Sequence, residues 1–247
     1  IDDVKNYYAS VFRPDMTTIV VIGKISVADA VAAIEKNFGA WKTEGEKPNT
    51  LFPPAPNNAT FVTQVPDASR VQDKVTLAHT LALTRTNADY YALQLGNHVL
   101  GGGFYATRLY RDLREKSGLV YYVGSSFNIG LTRGVYQSSY ACDPQNVVKA
   151  RTMILRDLKE MQTKNVTAHE LHQAKLMLLR DIPLAETSVG DIAGGWLGRA
   201  TLGLPLDEPV LAGKIYTQLE AKDVKAAFAK WLRPEDFVQI TQGPEPH

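Results

Sequence analysis

The sequence predicts an α+β fold, and two observations carry that prediction. Apolar residues recur with helical spacing in some segments and form β-branched or aromatic runs in others. A helix–Arg–Pro–strand–Gly unit also occurs twice in one ungapped register. Asp3-Val4-Lys5 recurs as Asp223-Val224-Lys225, and Ala9, Arg13, Pro14 and Gly23 recur as Ala229, Arg233, Pro234 and Gly243 (243 − 23 = 220). The chain therefore reads as the tail of one repeat (residues 1–42, helix–strand–helix), a Pro-rich linker (43–59) and a complete second domain (60–247).

Residues 2–12 have helical spacing, with Val4, Tyr7, Tyr8 and Val11 on one side. Pro14 ends the helix, because it disfavours helical backbone at Arg13. Residues 16–22 are continuously apolar and β-branched and read as a buried strand. Ser26 is suited to cap a helix over 26–38 that turns Val27, Ala30, Val31 and Ile34 inward. Residues 43–59 hold Pro48, Pro53, Pro54 and Pro56 with several Asn, and no period. Strands are expected at 60–65 and 71–83, then a helix over 87–100 with Asn87 as cap. Residues 134–141 read as a strand. Residues 144–161 read as a long helix with Asp143 as cap, Pro144 in its first turn, and Val147, Ile154, Leu155, Leu158 and Met161 on its apolar face. Helices over 167–180, 188–202, 210–219 and 221–232 and a closing strand over 237–241 complete the reading.

Composition excludes some classes of function. The formal net charge is +1, so no basic field argues for nucleic acid. No apolar run approaches the roughly 20 residues of a membrane span. Cys142 stands alone, which precludes an internal disulfide, and its neighbours suggest a small half-buried residue. The chain opens on Ile1 inside a helical pattern, as expected of a fragment or a processed chain.

The stretch Gly101 to Gly124 organises the rest. Gly101, Gly102 and Gly103 can adopt positive φ and so permit a tight turn. Residues 107–116 then read as a short helix. Leu109 and Leu113 lie on one face with Tyr110 beside them, and Arg108, Arg111, Asp112, Glu115 and Lys116 fall mostly around the other. Gly118 is suited to stop it. A strand over 120–127 follows. This connection could bring Arg114 and Tyr121 (121 − 114 = 7) to one sheet edge, with Tyr122 turned toward the core. The aromatics Tyr90, Tyr91, Phe104, Tyr105 and Tyr110 are expected mainly in the core. The glycines superficially match a dinucleotide fingerprint, but a helical run stands where a strand is required.

The run Thr-Arg-Leu-Tyr-Arg-Asp-Leu-Arg-Glu-Lys-Ser-Gly-Leu-Val-Tyr resembles a signature of the insulinase/pitrilysin family of zinc metallopeptidases, from the half of the enzyme that does not hold zinc. Thr107 stands where members usually have Ser. The resemblance implies a duplicated α+β domain, an antiparallel-rich sheet with helices packed on one face. It implies that Arg114 binds substrate backbone and that Tyr121 stabilises the oxyanion. It also implies a Zn2+ ion in the missing N-terminal half or in a partner subunit, and closure of the two halves over an extended peptide held partly as an added strand. That zinc-bearing half would be fused upstream or be a separate subunit, which leaves homo- and hetero-dimers open. Periplasmic or extracytoplasmic settings fit the family, while the sequence itself leaves the compartment unassigned.

The family's H-x-x-E-H string is absent. The nearest match, His169-Glu170-Leu171-His172, spaces its histidines three apart and fits a helix capping box from Thr167 to Glu170 instead. His79 and His98 lack a neighbouring ligand and His247 is terminal, so no metal site is expected in this chain. From spacing alone, Arg114 could instead pair with Glu115 or Asp112, with Tyr121 in the core. Two further readings stay open: a non-catalytic scaffold or partner subunit, and a metal-free peptide-binding module.

Overall fold

The computed structural model describes residues 1–103 and 105–246. Phe104 and His247 lie outside the described residues. Contacts divide the chain into two compact units, residues 1–52 with 183–208 and residues 53–182 with 209–247.

The larger unit is built on a five-stranded sheet. Its strands are β1 (Phe61–Pro66), β2 (Asp73–Leu81), β3 (Tyr122–Ile129), β4 (Gly134–Cys142) and β5 (Val238–Gly243), in the order β1-β5-β2-β4-β3. β1 and β5 are parallel and the other pairs antiparallel. Side chains alternate across a strand, so one face collects Val75, Leu77, Leu81, Val123, Tyr136 and Tyr140, all buried. That face meets helices α3 (Asp89–Asn97), α4 (Val147–Thr163) and α8 (Ala221–Trp231). Leu93, Ile154, Leu158 and Phe228 complete the core, and the Tyr140 hydroxyl donates to Val147 O at 3.0 Å, tying β4 to α4. Helices α5 (Ala168–Leu184) and α7 (Glu208–Gln218) lie mostly within this unit.

The smaller unit holds α1 (Asp2–Val11), α2 (Val27–Phe38) and α6 (Val189–Thr201). Arg13 is buried, pairs with Asp15 at 2.8 Å and donates to the carbonyls of Glu44, Gly45 and Glu46. Gly45 has φ +75°, the left-handed conformation this tight wrap requires. Both members of the sequence repeat follow Arg–Pro with one 3-10 turn, Pro14–Met16 and Pro234–Asp236. They then diverge. In the second copy β5 inserts between β1 and β2.

The expected buried strand over 16–22 does not form: that run pairs with no strand among the described residues, and Ile19 and Val21 are exposed. A strand is stable only where a neighbour takes its backbone N–H and C=O groups, and here no ladder reaches it. α2 likewise has no buried residue; Val27 and Val31 are exposed and Ala30 and Ile34 half-buried. Its cap is as expected, with Asp29 N donating to Ser26 Oγ at 3.1 Å. Asp143 precedes a 3-10 turn but makes no side-chain cap bond; its carboxylate instead accepts from Gln72 Nε2 at 3.2 Å.

Candidate functional site

The site forms where α3 runs out beside β3. α3 does not end in an ordinary cap. It widens into π-type winding over His98–Gly102, and a second π-wound segment, Tyr110–Glu115, follows. Such winding is uncommon and concentrates at functional sites. Gly101, Gly102 and Gly103 sit between the two. None has positive φ, which corrects the expectation above. Their glycine identity is required by close approach. A Cβ at Gly101 would lie 2.6 Å from Ser125 Oγ, and one at Gly102 would lie 2.4 Å from Asn97 Nδ2. The turn is pressed onto β3 by a reciprocal buried pair: Asn97 Nδ2 donates to Ser125 O at 3.0 Å, and Ser125 Oγ donates to Asn97 Oδ1 at 2.7 Å. Asn97 thus covers part of the outer edge of β3.

The second wound segment starts as the sequence suggests. Thr107 Oγ1 accepts from Tyr110 N at 3.2 Å, so the hydroxyl that stands in place of serine retains a capping role. Gly118 ends it with φ +60°, its N–H donating to Arg114 O at 3.0 Å while Leu119 N donates to Leu113 O at 2.9 Å. Its polar side is only partly a solvated face, however. Arg108 and Asp112 are buried. Arg108 donates twice to Glu170 at 2.8 Å, and Asp112 is held by Arg111, Lys116 and Arg156 at 2.8, 3.2 and 3.0 Å. Glu170 is shared: it also closes the predicted capping box, accepting from Thr167 N at 2.8 Å while Thr167 Oγ1 accepts from Glu170 N at 3.2 Å. Burial pushes the Glu170 carboxyl up, but hydrogen bonds from Arg108 and Thr167 outweigh it and hold it at about 2. The Arg111 hydrogen bond likewise holds Asp112 below the usual carboxylate range.

This network anchors the segment that carries Arg114. The Arg114 guanidinium lies 4.4 Å from the Tyr121 ring centroid and 5.5 Å from that of Tyr110, and Nη1 donates to Tyr121 O. Arg114 and Tyr121 are therefore brought together, as expected, and Tyr121 is 74% exposed. Both line one cleft of about 350 Å³, floored by the glycine turn and by Gly124 and Ser126 of β3. Tyr122 and Tyr105 were expected in the core and are exposed instead, on the same cleft. Tyr122 falls on the sheet face opposite the core, among exposed and half-buried residues, and Tyr105 packs edge-on against Tyr110 at 5.2 Å. The Asn97–Ser125 pair escaped sequence reading, because nothing local links residues 28 apart.

Zinc does not fit these residues. Among the described residues, no three His, Cys, Asp or Glu side chains gather as a metal-binding group. His79 is buried, its Nδ1 lies 3.0 Å from Thr80 O, and burial lowers it to about 4. The Cys142 thiol is buried and pushed up to about 11 by that burial. No helix among the described residues is long and apolar enough to cross a membrane.

The comparisons with known proteins agree with this architecture. Residues 1–178 match the family described as the peptidase M16 inactive domain. A probable inactive metalloprotease of Bacillus subtilis is 25% identical over 176 residues, which is 71% of this chain and 40% of that protein. A non-peptidase homolog of Helicobacter pylori is 24% identical over 219 residues, 84% of this chain and 47% of that protein. The chain thus spans less than half the length of these curated relatives. The crystal structure of a peptidase M16 inactive domain from Pseudomonas fluorescens superimposes with a TM-score of 0.85 at 28% identity, covering 99% of this chain and 57% of that one. A Helicobacter pylori protease shares the fold, with a TM-score of 0.87 at 16% identity over 99% of this chain and 59% of that one. The signature over residues 107–121, the sheet and helix layers and the matched residues 1–178 lead to one conclusion: the chain belongs to the insulinase/pitrilysin (M16) family of zinc peptidases, in the half known as its inactive domain.

Proposed function

We propose that this chain is the substrate-binding, non-zinc half of an M16-type zinc metalloendopeptidase. The observation that carries the reading is the convergence of Arg114 and Tyr121 on one cleft, stacked on each other and fixed to a buried charge network. The zinc-bearing half, fused or separate, supplies the metal that polarises the scissile carbonyl and activates water. The groups contributed by this chain bind and orient. The Tyr121 hydroxyl donates to the carbonyl oxygen as negative charge builds on it. Arg114 already uses one N–H on Tyr121 O, and its guanidinium has further donors for a substrate carbonyl or carboxylate.

The test is Tyr121→Phe in the assembled two-half enzyme. Losing one oxyanion donor lowers kcat by about 100-fold or more, with KM little changed. Unchanged turnover removes Tyr121 from the chemistry. Zinc-dependent turnover by this chain alone would refute the division of labour.

A second reading is a non-catalytic scaffold half. It is favoured by the relatives that carry the names inactive metalloprotease and non-peptidase homolog. Peptide binding by the assembled wild-type protein without hydrolysis would establish it.

A further inference from the structure

Behind the glycine turn, on the side of α5, lies a second cavity of about 470 Å³. It shares Gly103 and Tyr105 with the Arg114–Tyr121 cleft, so the two cavities adjoin. Its walls are mainly apolar: Val99 and Ala174 are buried, Ala106 also lines it, and Met177 is 37% exposed. Methionine is an adaptable, polarisable wall for side chains of different shape.

The polar groups of the cavity narrow the choice of occupant. Glu170 lines it, but Arg108 and Thr167 take both of its carboxylate oxygens, so it offers no unpaired charge to a cation. His98 also lines it. Among the described residues its side chain has no hydrogen-bond partner, and burial lowers its pKa, so it presents a neutral ring. His169 and Gln173 also line the cavity, and a mainly apolar pocket whose one carboxylate is already paired selects an apolar guest.

We propose that this cavity is a specificity subsite that takes one bulky apolar side chain, such as Leu, Met or Phe, from the extended peptide held at the Arg114–Tyr121 cleft. It rests on the reading of that cleft as a peptide site. The backbone of the peptide passes Gly103, which lines both cavities.

The experiment measures binding, without hydrolysis. Soluble Ala/Ser peptides carrying a single Leu at successive positions are titrated onto the 247-residue chain with 13C-methyl-labelled methionine. One Leu position is expected to bind about tenfold tighter than the Leu-free peptide. It should shift the Met177 methyl signal and leave that of the core residue Met161 in place. Ala174→Leu and, separately, Met177→Trp fill the cavity. Each should abolish the Leu gain without weakening the Leu-free peptide. A Leu gain retained in a folded filled variant, or a Leu gain without a Met177 shift, overturns the subsite. Arg114→Ala should weaken both peptides equally. If it weakens neither while Met177 still responds to Leu, the pocket stands and the cleft reading falls. If neither peptide binds the wild-type chain, both fall.

Discussion

The Arg108–Glu170 pair sets a measurable part of the stability of the site. Arg108 keeps only 8% of its side chain exposed, and its two hydrogen bonds to Glu170 are both 2.8 Å. Glu170→Gln leaves that guanidinium buried opposite a neutral amide, with Glu160 at 4.0 Å as its remaining acidic partner among the described residues. Stranding a buried charge costs about 3–5 kcal/mol, and Glu160 offsets part of it, so about 3 kcal/mol is expected. For a chain of this size that lowers Tm by roughly 6–12 °C. Replacing both partners by Met removes the stranded charge and should cost much less than the sum of the single changes. The same pair has an acid signature. The Glu170 carboxyl is depressed from 4.5 to about 2 in the folded chain, so its contribution is present above 4.5 and is lost as pH falls toward 2. Urea unfolding from neutral pH down to that range should show stability falling less steeply in Glu170→Gln than in the wild type. A single-variant cost below about 0.5 kcal/mol, or an identical acid slope, would refute the assignment.

Three further outcomes are expected. Gly118→Ala should destabilise by about 1 kcal/mol through backbone strain alone, because φ is +60° and a Cβ there meets nothing within 4 Å; Gly118→Asn should recover part of the loss in the same melt. Gly96→Ala should also destabilise, although alanine is the better helix former by about 1 kcal/mol, since its Cβ would lie 2.3 Å from Phe228 Cε2 and 2.7 Å from Val224 Cγ1; a raised Tm would contradict the packing described. Cys142, buried and held near 11, should resist iodoacetamide at pH 8 in the native chain and react at urea concentrations that unfold it.

The sequence reveals what is decided locally. Ser26, the Thr167–Glu170 box and Gly118 act within a few residues of themselves, and the structure realises each in the predicted role. Features that depend on distant partners are illegible in one sequence. Residues 16–22 have every local mark of a strand, yet a strand exists only against a neighbour. Arg108 and Asp112 look like a solvated helix face until α4 and α5 fold over them, and Glu170 lies 62 residues beyond Arg108. Tyr122 follows the correct alternation, but the period cannot say which face of the sheet packs into the core. Arg114 and Tyr121 meet because the tight connection at Gly118 is itself local.

The wide winding of Tyr110–Glu115 makes the length of this segment matter as much as its composition. In ordinary α-helix each residue advances the chain by about 100° around the axis. A π-wound turn accommodates one more residue than the α-helical pattern, so deleting one residue ahead of Arg114 would let the segment relax to regular helix. The guanidinium of Arg114 would then swing roughly a quarter-turn away from the phenol it stacks on, with every other side chain intact. The bulge acts as a phase-setting spacer, and its residue count is under as much constraint as the identity of the arginine it aims.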